Sequence, residues 1–423
     1  MIKSSKYACL LLFGIATMLT FCKIEKKNEH EDPPLNIENL ELEKADTTSR
    51  NSNFLFLSDI HLNSQSDNIT VYGMDTQLPL WNSAKKKISS IVSGADRPAF
   101  MVYTGDLPDH HPSTGHEHEQ NITKVLNDLD SLADGMPLFF APGNNDAIGG
   151  DYHSFSDSQM QNPFSLLKTN VGYPAPHADS IYSYNSVYGY YSARPFKGLR
   201  IIAMNTVLLG NTYTNDHCQP KKDYVQECQI DEGDNQINWL RDQLSDAENA
   251  KEKAYIIMHI PPGKDVYSGY DTWAKSYWLD SFVDYTERFH MTISGFLYGH
   301  THMDELRRVM YTDTITKQSH YTEIGISCPG ITPNHSNNSG FKTVSYDNQY
   351  EMMDFKTYFS QPTLFSWPDS MYTFSDAYKS GGQPMTPFLN ALSLDEVYHR
   401  MKKVYYVKNK PGTHRIKGGI DIE

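Results

Sequence analysis

Positive charge is in short supply: 37 Lys and Arg face 51 Asp and Glu, for a formal net charge of −14. Nothing global offsets the repulsion of a phosphate polymer or an anionic bilayer, which argues against either as the main partner. A local basic or metal-filled cleft can still take a small anion. There is no fixed-period repeat and no second long apolar segment after the N-terminal one. Charged residues make up only 21% of the chain beside 12% aromatic residues, which sets aside wholesale disorder and the collagenous and coiled-coil classes. Cysteine is scarce as well, at 5 of 423 residues. That length has room for two or three domains of roughly 150 residues, or for one large α/β domain with an appendage.

The N-terminal apolar run extends from Tyr7 to Phe21 behind Lys3 and Lys6, with a polar stretch from Lys23. It is short for a transmembrane helix and has the layout of an export signal over 1–21. Leu19-Thr20-Phe21-Cys22 resembles a bacterial lipobox, although a small residue is expected where Phe21 stands. Simple secretion and lipid anchoring at Cys22 are both open, with 22–50 as a polar tether. Cys218 and Cys228 are close enough in sequence to close a disulfide in an oxidising compartment, leaving Cys328 unpaired and buried.

Further along, apolar runs alternate with helical patterns. Phe54 to Leu57, Ala99 to Thr104, Leu138 to Ala141, Leu199 to Met204, Ala254 to Met258 and Ile293 to Tyr298 read as buried strands. Trp81 to Ser93, Asn121 to Ala133, Asp234 to Leu244 and Thr272 to Phe289 read as helices. The alternation means α/β layers, and the Thr-, Tyr-, Val- and Phe-rich stretch from Glu305 to Ser360 suggests a second, more antiparallel sheet. Beyond Gln361 a helix over Ser393 to Lys403 precedes a basic tail of Lys402, Lys403, Lys408, Lys410, Arg415 and Lys417, expected to be a solvated face.

Five short polar signatures each follow a strand. They are Ser58-Asp59-Ile60-His61, Gly105-Asp106, Gly143-Asn144-Asn145-Asp146, His259 ahead of Ile260-Pro261-Pro262-Gly263, and Gly299-His300-Thr301-His302. Any one alone is an ordinary turn or core histidine. Five in order at strand ends stand where open α/β sheets place ligands. Asp59 and His61, like His300 and His302, are two apart, a spacing that in extended backbone points both side chains to one side. The donors are carboxylate, amide oxygen and imidazole without thiolate, which suits Zn, Mn or Fe rather than a structural thiolate zinc site. Seven ligands are too many for one tetrahedral ion. They suit two divalent ions about 3.5 to 4 Å apart that share Asp106, an arrangement for in-line displacement at phosphorus.

These residues resemble the calcineurin-like metallophosphoesterases and, within them, the acid sphingomyelinase-like phosphodiesterases. The narrower likeness rests on Thr104-Gly105-Asp106-Leu107-Pro108-Asp109-His110 and on Thr332-Pro333 followed by Asn337-Asn338-Ser339-Gly340-Phe341. The resemblance implies two packed mixed β-sheets flanked by helices over 51–360, with a C-terminal extension at 361–423. It implies one metal on Asp59, His61, Asp106 and His302 and a second on Asp106, Asn144, His259 and His300, with hydroxide attack at phosphorus. Where the family usually has His after Gly-Asn, this chain has Asn145, whose amide donates a hydrogen bond but cannot deliver a proton at neutral pH. His110 is then the candidate general acid, and nearby His111, His116 and His118 are expected on a solvated loop. The tether lacks the Cys-rich module with which lysosomal sphingomyelinase presents its lipid. The expected substrate is a small phosphodiester, of sphingomyelin/phosphocholine or nucleotide type, met by a monomer. A phosphomonoesterase, an endopolyphosphatase and a surface binding protein weakened by Asn145 are the alternatives.

Overall fold

The hydrophobic run Ser52–Leu57 is too continuous to alternate between water and core, so its strand must be covered on both faces. In the computed structural model, which describes residues 52–169, 172–218, 225–409 and 414–423, Phe54, Leu55, Phe56 and Leu57 are fully buried. This strand pairs in parallel with Met101–Tyr103, which pairs in parallel with Leu138–Phe140. On its other side it meets Ser339–Tyr346 antiparallel, followed by Met352–Ser360 and Met371–Thr373, to make a mixed six-stranded sheet.

A second mixed sheet of eight strands is centred on Leu199–Ala203, Lys253–Ile257 and Ile293–Tyr298, all parallel. Its strands show how two-residue periodicity builds layers. Tyr255 and Ile257 join the core shared with the first sheet, whereas Ala254, Ile256 and Met258 join a cluster with Ile237, Leu240 and Leu244 of the helix Val225–Ala250 and with Trp278 and Phe282 of the helix Ser276–Arg288. Phe54 meets Tyr255 across the sheets at 5.5 Å between ring centroids. Outside the first sheet lie the helices Leu78–Val92 and Gly115–Ala133, joined where Trp81 Nε1 donates to Asp128 at 2.8 Å. The molecule is therefore the expected sandwich of two mixed sheets between helical layers.

One expectation changes. The strands after Glu305 do not form a sheet of their own: Leu306–Thr312 and Ser319–Ser327 extend the eight-stranded sheet, and Ser339–Tyr346 and Met352–Ser360 extend the six-stranded one. The extension from Gln361 packs onto both sheets. Met371–Thr373 adds to one sheet and Asp421–Ile422 to the other, while Phe374, Tyr378, Leu389, Val397 and Tyr405 enter the main core. The tail residues Lys402, Lys403, Lys408, Arg415 and Lys417 are exposed as expected. Cys218 and Cys228 are joined in a disulfide, and Cys328 is free and buried. The export signal, the tether, Cys22 and Lys410 lie outside the described residues, and no helix among the described residues is long and apolar enough to cross a membrane.

Candidate metal centre and active site

Five central strands deliver the five signatures to one place. Asp59 and His61 follow Ser52–Leu57, Asp106 follows Met101–Tyr103, Asn144 follows Leu138–Phe140, His259 follows Lys253–Ile257, and His300 and His302 follow Ile293–Tyr298. Convergence does not come from extended backbone, as the two-apart spacing suggested. Asp59, His61, Asp106, His300 and His302 all take left-handed conformations, with φ of 48°, 45°, 65°, 72° and 60°. Non-glycine residues seldom adopt this region, and here it turns each side chain back across its strand end. Close approach of the loops depends on glycine: a Cβ on Gly143 would collide with Asp106. Asp146 pins the same two loops together, accepting from the backbone N–H of Gly143, Asp106 and Leu107 at 2.6, 3.1 and 2.7 Å.

The donor atoms fall into two nests. In one, His61 Nε2 lies 3.1 Å from His302 Nε2, 3.2 Å from Asp106 Oδ2 and 3.9 Å from Asp59 Oδ1, with His302 Nε2 3.5 Å from Asp59 Oδ1. In the other, His259 Nε2 lies 3.2 Å from Asp106 Oδ2 and 3.0 Å from Asn144 Oδ1, which is itself 3.0 Å from His300 Nδ1. Asp106 Oδ2 belongs to both. Atoms bound to one cation at roughly 2.1 Å stand on the order of 3.0 to 3.5 Å apart, so each nest has the span of one coordination shell.

Surrounding groups aim the donors. His61 Nδ1 meets the Pro108 carbonyl at 3.1 Å and His259 Nδ1 the Thr104 carbonyl at 2.6 Å, which leaves each Nε2 bare toward its nest. Asn144 Nδ2 donates to Asp151 at 2.8 Å, turning its oxygen inward. Both Asp59 oxygens accept the His300 backbone N–H, at 3.0 and 3.1 Å.

The charges fit a cation. Asp59 and Asp106 are fully or almost fully buried, and among the described residues their only ion-pair partners are imidazoles. Burial lifts the Asp59 carboxyl to about 6 against the pull of His259. Burial opposes charge on Asp106 too, but His259 and His61 hold it well below the usual carboxylate range. In return Asp106 outweighs burial at His61 and His259 and raises both to about 9. Burial, reinforced by neighbouring histidines, lowers His300 to about 3 and His302 far below its ordinary value, keeping both rings neutral as ligands must be. His302 Nδ1 has no hydrogen-bond partner among the described residues. A buried carboxylate pair whose ion-pair partners among the described residues are all histidines, ringed by oxygen and nitrogen donors, is a site for divalent metal.

His110 stands beside the first nest, its ring stacked on His61 with centroids 3.9 Å apart, and the ligand atoms of His61, His110 and His302 lie within 4.8 Å of one another. Asn145 is buried and turned inward: its backbone N–H donates to Asp106 Oδ1 at 2.9 Å and its amide to Oδ2 at 3.1 Å. His116 and His118 are not on a loop but on the helix Gly115–Ala133, and His118 is buried with Nε2 on the Ala147 carbonyl. Only His111 is on an exposed loop as expected. Sequence reasoning missed Asp75, which contacts His110, Asp151 behind Asn144, and His335, whose ring lies 4.7 Å from that of His302. None belongs to a contiguous metal motif. The Thr332-Pro333 segment was the one signal pointing toward His335.

Residues 52–304, well over half the chain and spanning all seven ligand candidates, match the family model for Calcineurin-like phosphoesterase. The chain belongs to this family. Among curated relatives, this calcineurin-like phosphoesterase is 28% identical to "Sphingomyelinase phosphodiesterase D" of Dictyostelium discoideum over 80% of its own length and 76% of that protein's. It is 26% identical to "Sphingomyelin phosphodiesterase 2" of Caenorhabditis elegans over 69% of its own length, and 27% identical to "Cyclic GMP-AMP phosphodiesterase SMPDL3A" of Homo sapiens over 64%. It spans 46% and 57% of those two proteins, about half of each. A solved dimetal phosphatase from Danio rerio is 13% identical over 76% of this chain and 98% of that one, with a TM-score of 0.46. The chain is thus a phosphoesterase-family enzyme whose named relatives are phosphodiesterases, with clustered Asp, Asn and His side chains for divalent metal.

Proposed function

We propose that this phosphoesterase is an exported phosphodiesterase with two divalent cations, acting on a small phosphodiester that carries a cationic head group. The observation that carries the reading is the pair of donor nests sharing Asp106 Oδ2. Asp59, His61, Asp106 and His302 would hold one cation, and Asp106, Asn144, His259 and His300 the other, with Zn favoured by the donor set over Mn or Fe. Bound there, the two ions supply an activated water and neutralise the phosphoryl oxygens. The chain supplies the rest. Asn145 fixes the orientation of Asp106, and His110 gives a proton to the departing oxygen.

The head-group assignment is supported by a cavity of about 250 Å³ that opens beside His300, lined by Tyr152, Asp265, Tyr270 and Asp271 among others. Among the described residues no Lys or Arg lines it, and nearby Lys264 is paired with Asp271 at 2.9 Å. Aromatic faces with the Asp265 carboxylate favour an ammonium group over a second phosphate. Export is supported by the N-terminal pattern and by the Cys218–Cys228 disulfide, which suits an oxidising compartment, with Cys22 as the proposed anchor and a monomer as the working form. We assign catalysis to 51–360, braced by 361–423.

The test is metal content with turnover of bis-nitrophenyl phosphate, nitrophenyl phosphate, a choline phosphodiester and a cyclic dinucleotide, with Asp106→Ala as control. Two metals and diester turnover lost in the control support the reading, and choline-ester preference supports the head group. Faster monoester cleavage would make it a phosphomonoesterase. Two metals with no turnover would make it a binding protein, with Asn145 as the cause.

A further inference from the structure

Sequence spacing gives no reason to connect Asp75 with the active site, yet it is the residue most fully engaged with His110. The chain leaves His61 through Leu62–Asn63, loops outward, and returns as Thr76–Gln77 in parallel with it, with Thr76 N–H on the His61 carbonyl at 3.1 Å. This sets Asp75 at the edge of the first nest. Its Oδ2 accepts the His110 backbone N–H at 2.9 Å, and its Oδ1 lies 2.8 Å from His110 Nδ1. Asn334 Nδ2 donates to Oδ1 at 2.8 Å, and the Thr332 hydroxyl reaches it at 3.4 Å. One carboxylate therefore grips the main chain and the ring of the same histidine while tied to the loop between the strands Ser319–Ser327 and Ser339–Tyr346. The His110 ring is sandwiched between this carboxylate at its edge and the face of His61.

We propose that Asp75 is a positioning residue for His110, holding Nδ1–H so that Nε2 is the nitrogen presented to the departing oxygen. The assignment rests on the phosphodiesterase reading. As the phosphorus–oxygen bond breaks, its electron pair stays on the leaving oxygen, which takes the proton from Nε2, and His110 is left neutral with Nδ1–H still on Asp75. The arrangement has particular weight in this chain because Asn145 is committed to Asp106 and has no proton to give. A fixed imidazole tautomer is worth keeping, since a ring turned end for end offers the wrong nitrogen.

The experiment compares zinc-loaded wild type, Asp75→Asn, His110→Ala and the double variant on bis-nitrophenyl phosphate, whose leaving group needs no proton, and on glycerophosphocholine, whose alkoxide does. Asp75→Asn should lower kcat on the alkyl ester by about 10- to 100-fold, at least tenfold more than on the nitrophenyl ester, with KM little changed and both metals retained. The double variant should be no slower than His110→Ala. Independently, histidine-labelled wild type should show a hydrogen-bonded Nδ1–H resonance that vanishes in His110→Ala and is weakened in Asp75→Asn. Equal losses on the two esters, metal loss in Asp75→Asn, or additive losses in the double variant would overturn the proposal by making Asp75 a loop staple. Absence of the resonance overturns the clamp itself, whereas its presence in a protein inert on both esters overturns the reaction the clamp would serve.

Discussion

At the scale of single residues, the site trades backbone comfort for convergence. Five left-handed non-glycine residues, each at a cost of order 1 kcal/mol or more, persist because neighbouring groups over-determine them. Asn144 illustrates how small that margin is, since its amide can present either oxygen or NH2 to the nest and Asp151 decides which. Asp151→Ala should weaken the binding of one of two metals by about 10- to 100-fold, read by titrating the metal-free protein with Zn. The other metal should bind as before, and equal weakening of both would sink the idea. The seven ligand candidates were legible in the sequence because each lies in a contiguous polar motif at the end of an apolar run. Asp75 and Asp151 were not, because their partners lie across loops of no recognisable pattern.

Elements beyond the family-matched segment hold the His300-Thr301-His302 loop in place. Asp304, two residues past His302, is buried and accepts from Lys342 Nζ at 2.7 Å, Thr357 at 2.8 Å and Tyr372 at 2.6 Å, while its backbone N–H donates to the Tyr405 carbonyl at 2.9 Å. Two of those partners come from the stretch read as an extension. Asp304→Ala leaves Lys342 buried without a counter-charge and should cost about 3 to 5 kcal/mol in urea unfolding, with loss of metal at the His302 nest. Adding Lys342→Met should recover much of the stability, and a double variant no better than the single would refute the charge argument. Periodicity exposed the strands after Glu305 but could not say which sheet each would join, since pairing such as Ser52↔Tyr346 joins residues far apart in the chain. The early start of the helix at Gly115 was readable in hindsight from Thr114 and Glu117: the Thr114 hydroxyl caps the Glu117 N–H at 3.2 Å. Thr114→Ala should cost about 1 kcal/mol of unfolding free energy and leave metal content intact.

For the whole molecule, the sharpest consequence of burying charge outside the site is one carboxyl whose contribution to stability leans to acid. Glu323, on the strand Ser319–Ser327, is 4% exposed and has no cationic partner among the described residues. It accepts from the Ile324 N–H at 2.8 Å and from Thr386 at 3.2 Å, while Lys253 is engaged with Glu351 at 3.2 Å. Burial, with Glu351 adding to it, lifts the Glu323 carboxyl from 4.5 to about 8. The unfolded chain gives up this proton near pH 4.5 and the folded one near pH 8, so the contribution is full below pH 4.5 and is lost as pH rises toward 8. The slope is at most about 1.4 kcal/mol per pH unit for one proton. Asp59 and Asp146, both raised to about 6, act in the same direction and are half titrated at that pH, whereas His300, His302 and His335, held by burial below their ordinary 6.5, act in the opposite direction. His61 and His259, raised to about 9, continue it above pH 6.5 only while they hold protons, and bound metal displaces those. The difference between metal-loaded wild type and Glu323→Gln, each measured at pH 6 and pH 8, therefore isolates Glu323. Between the two pH values the stability of wild type should fall relative to that of Glu323→Gln, as read by urea unfolding. Parallel pH profiles for the two proteins would mean that Glu323 is ionised in the folded state and that its charge is met by a group other than those named here.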